Sequence, residues 1–289
     1  GLAAQTERLD ALHRALGNHL GQQDLYFSKM LSVYTELKPL IEKVPTGFIS
    51  REEGRGLIIT GLYVTTPNLR TVLIKDLSFS LSKGESLLII GPSGCGKSSL
   101  LRAIAGLWNR GDGIIQAPPQ KETFFLPQKP YMTLGTLRDQ LLFPVFDSCS
   151  THLSNEKLSR FLNEVSLADL PGRTEGFGVS CDWADILSAG EQQRLAFARL
   201  LLHEPKMAFL DEATSALDLA NESRLYSLLD REIDTYVSVG HRLSLVKFHT
   251  HVLEFGDNFD WKIFSRTEFE NSRMYSVGLT QEVVFPKKN

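Results

Sequence analysis

The chain has 289 residues, of which 22% are charged and 42% hydrophobic, and a formal net charge of −3. That balance excludes an intrinsically disordered protein and gives no sign of a broad basic surface for nucleic acid. Three cysteines, Cys95, Cys149 and Cys181, are an odd number without metal-ligand spacing, so neither a disulfide framework nor a zinc site is indicated. No run approaches the roughly 18–20 apolar residues that cross a bilayer as a helix. There is no signal peptide and the first residue is Gly1, which leads us to expect a fragment of a longer protein.

From Gly1 to Ile41 apolar residues recur at helical spacing, as at Leu9, Leu12, Leu16 and Leu20, and a second helix is expected from Asp24 to Leu37 before Pro39. Glu42 to Gly56, with Pro45, Gly47, Gly54 and Gly56, reads as a linker. The expected division is a helical segment and linker over 1–56, a main domain over 57–265 and a tail over 266–289. From Leu57 the period changes to two: Leu77, Phe79 and Leu81 alternate with serines, the pattern of a half-buried strand. Lys83-Gly84-Glu85 turns the chain into Leu87–Ile90, an apolar run suited to a buried parallel strand, and Ser99–Gly106 returns to helical spacing. Trp108–Gly113 reads as a loop, and Phe124-Phe125-Leu126 as a short strand ending at Pro127-Gln128. Residues 132–204 read as mostly helical, with candidates at Thr136–Phe143, Asn155–Leu167 and Glu191–His203. Met207–Leu210 is a strand that ends in Asp211-Glu212, Tyr236–Gly240 one that ends at His241, and Val252–Phe255 with Trp261–Phe264 a terminal hairpin. Strands alternating with helices predict an α/β fold, a mostly parallel sheet carrying a helical insertion.

Between the Leu87–Ile90 strand and the next helix lies Gly91-Pro92-Ser93-Gly94-Cys95-Gly96-Lys97-Ser98, continuing into Ser99. This is the G-x-x-x-x-G-K-S phosphate-binding loop, in the strand–loop–helix context that the motif requires; an accidental glycine-rich turn would lack that context. Glycines let backbone N–H groups turn inward around a phosphate at a helix N-terminus. Lys97 supplies a point charge to the β- and γ-phosphates, and the Ser98 hydroxyl can ligate Mg²⁺. Cys95 sits in an electropositive place where a thiolate would be reactive; the simpler reading is a small residue tolerated in the loop. Further on, Ser188 and Glu191 form S-x-x-E ahead of an apolar-periodic helix. Taken alone this is a capping box worth roughly 1 kcal/mol. A helix N-terminus with Ser188 and Gly190 is also an anion site.

With the phosphate loop, Leu187-Ser188-Ala189-Gly190-Glu191-Gln192-Gln193-Arg194 and Met207-Ala208-Phe209-Leu210-Asp211-Glu212 make the chain similar to the nucleotide-binding domain of an ATP-binding-cassette (ABC) transporter, roughly from Leu57 to Phe264. The resemblance implies a P-loop NTPase core with an N-terminal antiparallel β subdomain and an inserted helical subdomain over about 132–204. It implies that ATP is bound by Gly91–Ser99 with Mg²⁺ held by Ser98, Asp211 and Gln128. Glu212 matches the catalytic glutamate that polarises the attacking water, His241 the switch histidine, and Gln128 the Q-loop glutamine. Ser188, Ala189, Gly190 and Glu191 match the signature that covers ATP held by a second cassette, and Ser215-Ala216-Leu217-Asp218 match the D-loop facing that partner. Singly, a histidine after a strand or an Asp-Glu pair is ordinary; together they stand in the family order. The sequence departs at Ala189, where glycine is commoner, and at Glu191, often glutamine. The usual adenine-stacking aromatic aligns near Thr66, leaving Tyr63 or no aromatic for that contact.

Leu126–Met132, Gly135–Gln140, Ala105–Trp108 and Ser238–Arg242 with Phe248-His249 resemble subfamily D of these transporters, and Leu2–Leu9 resembles the descent from that family's last membrane helix. Subfamily D comprises half-transporters for fatty acyl-CoA in peroxisomes and cobalamin in lysosomes, with plastid and bacterial relatives. The resemblance implies a homo- or heterodimer of cassettes, each joined to its own transmembrane domain through a coupling helix. The cassette would lie on the cytosolic or stromal face of a membrane whose organelle the sequence leaves open. The alternative, a soluble ABC ATPase acting on nucleic acid or ribosomes, predicts basic arms, a long coiled coil or tandem cassettes, and the chain has none.

Overall fold

In the computed structural model the described residues are 47–66, 71–144, 153–256 and 260–274, all in the unit that begins at Pro45. The helices expected within 1–41 lie outside the described residues. In chain order the strands are β1 (Ser50–Glu53), β2 (Leu57–Thr65), β3 (Val72–Leu81), β4 (Ser86–Ile90), β5 (Gly111–Ala117), β6 (Thr123–Leu126), β7 (Leu134–Thr136), β8 (Ser180–Asp182), β9 (Met207–Asp211), β10 (Thr235–Val239), β11 (His251–Phe255) and β12 (Trp261–Ser265). The helices are α1 (Lys97–Ile104), α2 (Leu137–Leu142), α3 (Asn155–Glu164), α4 (Leu170–Arg173), α5 (Trp183–Ile186), α6 (Ala189–His203), α7 (Leu219–Glu232) and α8 (Arg266–Met274).

Three strands, β4, β9 and β10, are buried along their whole length, which is why Leu87–Ile90 and Met207–Leu210 read as continuous apolar runs rather than alternating ones. They form the centre of a six-stranded sheet in the order β12-β11-β4-β10-β9-β6. Every pairing in it is parallel except β11 with β12, the terminal hairpin. Successive side chains of one strand serve opposite faces. Leu88, Ile90, Ala208 and Leu210 pack with Trp183, Phe197 and Tyr226 of the helical side. Their neighbours Leu87, Ile89, Met207 and Phe209 pack with α1 and a second sheet. That second sheet, ordered β1-β5-β2-β3, is antiparallel except for β1 with β5.

The sequence reading misses several elements. β1 lies inside the stretch read as linker, α8 inside the tail, and β7 pairs with β8 within the region read as helical. α7 carries no apolar run long enough to stand out. The loop read over Trp108–Gly113 already contains the start of β5, because its glycines serve close approach rather than a turn. A Cβ on Gly111 would lie 1.9 Å from the Tyr63 carbonyl oxygen, and one on Gly113 2.5 Å from that of Gly61. Glycine is therefore needed where β5 meets β2.

Candidate nucleotide site

Neighbouring strands β4, β10, β9 and β6 run parallel, so their carboxyl ends open on one edge of the sheet, the place where α/β sheets bind ligands. Each end delivers one of the residues singled out by the sequence. β4 leads into Gly91–Ser98, β6 into Gln128, β9 ends on Asp211 before Glu212, and β10 leads to His241.

The loop after β4 adopts left-handed backbone at Gly94 and Gly96 (φ +80° and +101°). At Gly96 a side chain would also press on the Leu73 carbonyl. Gly96 is the N-cap of α1 and offers no side-chain hydrogen bond, nor is there an acidic residue in the first turn. The first-turn amides and the positive end of the helix are thus left for an external anion. Lys97 is buried and its Nζ donates to the carbonyls of Gly91 (3.0 Å) and Pro92 (2.8 Å), arching the loop over itself. Burial pushes its pKa down, while Cys95, Glu212 and Asp211 act in the opposite direction. Burial pushes the Cys95 thiol up despite Lys97 nearby, so the thiolate character considered for it is not favoured.

Ser98 Oγ donates to Asp211 Oδ1 at 2.6 Å, and the second carboxylate oxygen faces Arg102 at 3.4 Å. A hydroxyl and a carboxylate in contact beside a phosphate loop suit Mg²⁺, which keeps several waters and takes few protein ligands. Among the described residues no cluster of three or more His, Cys, Asp or Glu side chains is arranged to hold a metal by itself.

Glu212 lies between two partners. Gln128 Nε2 donates to Oε2 at 2.9 Å and His241 Nε2 lies 2.6 Å from Oε1. A carboxylate only accepts, so the histidine contact requires the proton on Nε2. Glu212 has a left-handed backbone (φ +49°), which costs a non-glycine residue about 1–2 kcal/mol. Its N–H donates to the Val239 carbonyl, tying the end of β9 to that of β10.

The signature segment is assembled as the capping box the sequence predicts. Ser188 Oγ accepts from the Glu191 amide, while the Glu191 carboxylate accepts from the Ser188 amide and hydroxyl. Arg173 donates to the other Glu191 oxygen at 2.7 Å. Burial alone would raise the Glu191 carboxyl, but these hydrogen bonds and Arg173 bring it below its ordinary value. Gly190 packs on the D-loop of its own chain, with a Cβ there 3.3 Å from Leu217 and 3.4 Å from the Ala216 carbonyl. Tyr63 sits half-buried on β2, opposite Asp112. Burial, with Asp76 and Asp112, pushes its phenol up.

Three residues that sequence reading passes over hold this arrangement. Arg102 meets Asp211, Arg242 donates to the Leu217 carbonyl and to Glu222, and Gln193 joins two loops. None has a local signal beyond its place next to a motif.

These features define a P-loop ATPase of the ABC transporter type, and residues 74–215 match the family model described as ABC transporter. The chain belongs to that family and, within it, with subfamily D. It is 46% identical over 222 residues to an uncharacterized ABC transporter ATP-binding protein of Synechocystis, covering 75% of this chain and 33% of that protein. It is 42% identical over 227 residues to the human lysosomal cobalamin transporter ABCD4, covering 76% and 38%. It is 40% identical over 247 residues to the chloroplastic ABC transporter D family member 2 of Arabidopsis thaliana, covering 71% and 35%. The chain spans about a third of the length of these relatives. Among the described residues no helix is long and apolar enough to cross a membrane.

Proposed function

We propose that the chain is the ATP-hydrolysing cassette of a membrane half-transporter, completed by a second cassette arranged head to tail with it. The observation that carries this reading is the grip of Gln128 and His241 on Glu212 beside the phosphate loop and Asp211. Lys97 and the backbone N–H groups of Gly91–Ser99, Pro92 excepted, hold the ATP phosphates. Ser98 and Asp211, together with Gln128, would hold Mg²⁺, which would supply positive charge to the ATP phosphates. Glu212 accepts the proton of the attacking water, oriented by Gln128, and His241 fixes the carboxylate and meets the γ-phosphate.

Ser188, Ala189, Gly190 and Glu191 serve ATP on the partner cassette, which is a second copy of this chain or a related one, and Ser215–Asp218 line that junction. A cavity of about 480 Å³ lies beside the Gln128 loop, lined in part by Leu107, Phe125, Pro127, Tyr131 and Phe143. It suits the coupling helix of the protein's own transmembrane domain. The cargo we assign is of the subfamily-D kind, fatty acyl-CoA or cobalamin, and the cassette works at the cytosolic or stromal face of a peroxisomal, lysosomal, plastid or bacterial inner membrane. We assign the cassette to 57–265 with a helical subdomain over about 132–204, extended by β1 before it and α8 after it. The resemblance to transporters and the absence of basic arms weigh against the alternative of a soluble ABC ATPase acting on nucleic acid.

ATP hydrolysis measured against cassette concentration tests the two-cassette site. Specific activity should rise with concentration and then saturate, and a Ser188→Arg variant should be silent alone yet regain activity when mixed with Lys97→Ala. Concentration-independent specific activity, or failure of the mixture, would refute the shared site.

A further inference from the structure

Gln193 lies on the second turn of α6 and is only 3% exposed. Its amide meets two separate loops. Oε1 accepts from the Ala216 N–H at 2.9 Å. Nε2 donates to Ser215 Oγ and to the Gln128 carbonyl oxygen, both at 3.2 Å. The orientation is dictated by the partners, since the flipped amide would place an NH₂ group against the Ala216 N–H and an oxygen against the Gln128 carbonyl. Both loops meet Glu212, one at its carboxylate and the other at its backbone carbonyl. Gln128 donates to Glu212 through its side chain, while the Ser215 N–H donates to the Glu212 carbonyl. A closed circuit results, running from Gln193 to the Gln128 backbone, through the Gln128 side chain to Glu212, and back through Ser215 and Ala216.

We propose that Gln193 is a positioning residue for hydrolysis: it fixes the Gln128 loop against the Ser215–Ala216 loop and so sets the place of Gln128 and Glu212 relative to the attacking water. The inference rests on the ATPase reading above. Gln193 stands five residues after Ser188 on the same helix, so a shift of the signature end is passed to both loops by one rigid turn. A buried amide with both ends bonded resists displacement, because breaking either contact leaves a desolvated polar group without a partner.

The test combines hydrogen exchange with turnover in the full-length protein. In Gln193→Met, residues 126–130 and 213–218 should exchange faster together while β9 and α1 keep their protection. In Gln193→Glu the carboxylate still accepts from Ala216 but cannot donate to Gln128, so 126–130 alone should loosen; this variant decides the matter if Gln193→Met does not fold. Turnover should fall about tenfold or more in Gln193→Met with ATP affinity kept within about threefold, and in a Gln128→Ala background the same change should cost less than about twofold. Loosening spread through β9, or losses from the two substitutions that simply multiply, would overturn the proposal. A wild-type protein without ATPase activity would refute the underlying reading instead, and the exchange pattern would still judge the role of Gln193 as the link between loops.

Discussion

Two adjacent residues after β10 each meet a glutamate, and the two glutamates differ in how far solvent reaches them. His241 reaches Glu212 on the open edge of the sheet, where the two side chains are 41% and 21% exposed. Arg242 reaches Glu222, whose side chain is 3% exposed and also accepts from Thr214 (2.8 Å) and Ser244 (3.2 Å). Glu212 is held from two sides in a strained backbone, with solvent in reach. Glu222 is surrounded by donors, and through Arg242 it anchors the Leu217 carbonyl. The same residue type thus serves two ends. Donors surround the buried Glu222 carboxylate and tie it to the fold, whereas those of Glu212 leave it open to solvent.

The sharpest way to break this division is Glu212→Gln, which keeps the size of the side chain and removes the base. Turnover should drop by about 10²–10⁴-fold, the usual worth of a positioned acid–base group, while ATP binding and Tm stay near wild type. Retained turnover in steady-state assays would remove Glu212 from its assigned role. Glu222→Leu should do the reverse. It leaves Arg242, Thr214 and Ser244 without their acceptor and should cost about 3 kcal/mol, or roughly 6–12 °C in Tm, toward the low end for a broken buried pair because water reaches Arg242. Calorimetry on Glu222→Leu beside Glu212→Gln would show whether stability and turnover part as the geometry requires.

A third test turns on His249, away from both glutamates. His249 is wholly enclosed, donates from Nδ1 to the Leu245 carbonyl and packs on Tyr226 and Tyr236, and burial lowers its pKa to about 4. The folded value lies below the unfolded one of about 6.5, so the neutral ring is favoured in the fold. Its contribution is fully present above pH 6.5 and is lost as the pH falls toward 4, with about 2 kcal/mol gone by pH 5. Denaturant midpoints measured from pH 7 to 5 should show this slope, and His249→Phe should flatten it.

How much of this was legible beforehand depends on how local the cause is. Gly96, Lys97 and Ser98 announce a phosphate loop because the turn, the strand before it and the helix after it are contiguous. The Ser188–Glu191 box was equally plain, since both partners lie within one turn. The strand end at Asp211 is visible because Met207–Leu210 is an apolar run, as a strand buried on both faces favours, and the strand before His241 is legible from Tyr236, Val237 and Val239. β5 was hidden because its glycines answer to the carbonyls of Tyr63 and Gly61, which are far away in sequence.

The sequence by itself determined the identity of the chemical groups and the order of strand, loop and helix, because those follow from steric and hydrogen-bonding preferences spanning a few residues. Only the tertiary structure decided which groups meet. The parallel order β4-β10-β9-β6 puts four loop ends on one edge, seats Glu212 between Gln128 and His241, brings Arg242 to Glu222, and leaves Gln193 bridging loops 65 and 23 residues away. Such meetings depend on strand pairing across the whole chain, and no local pattern records them.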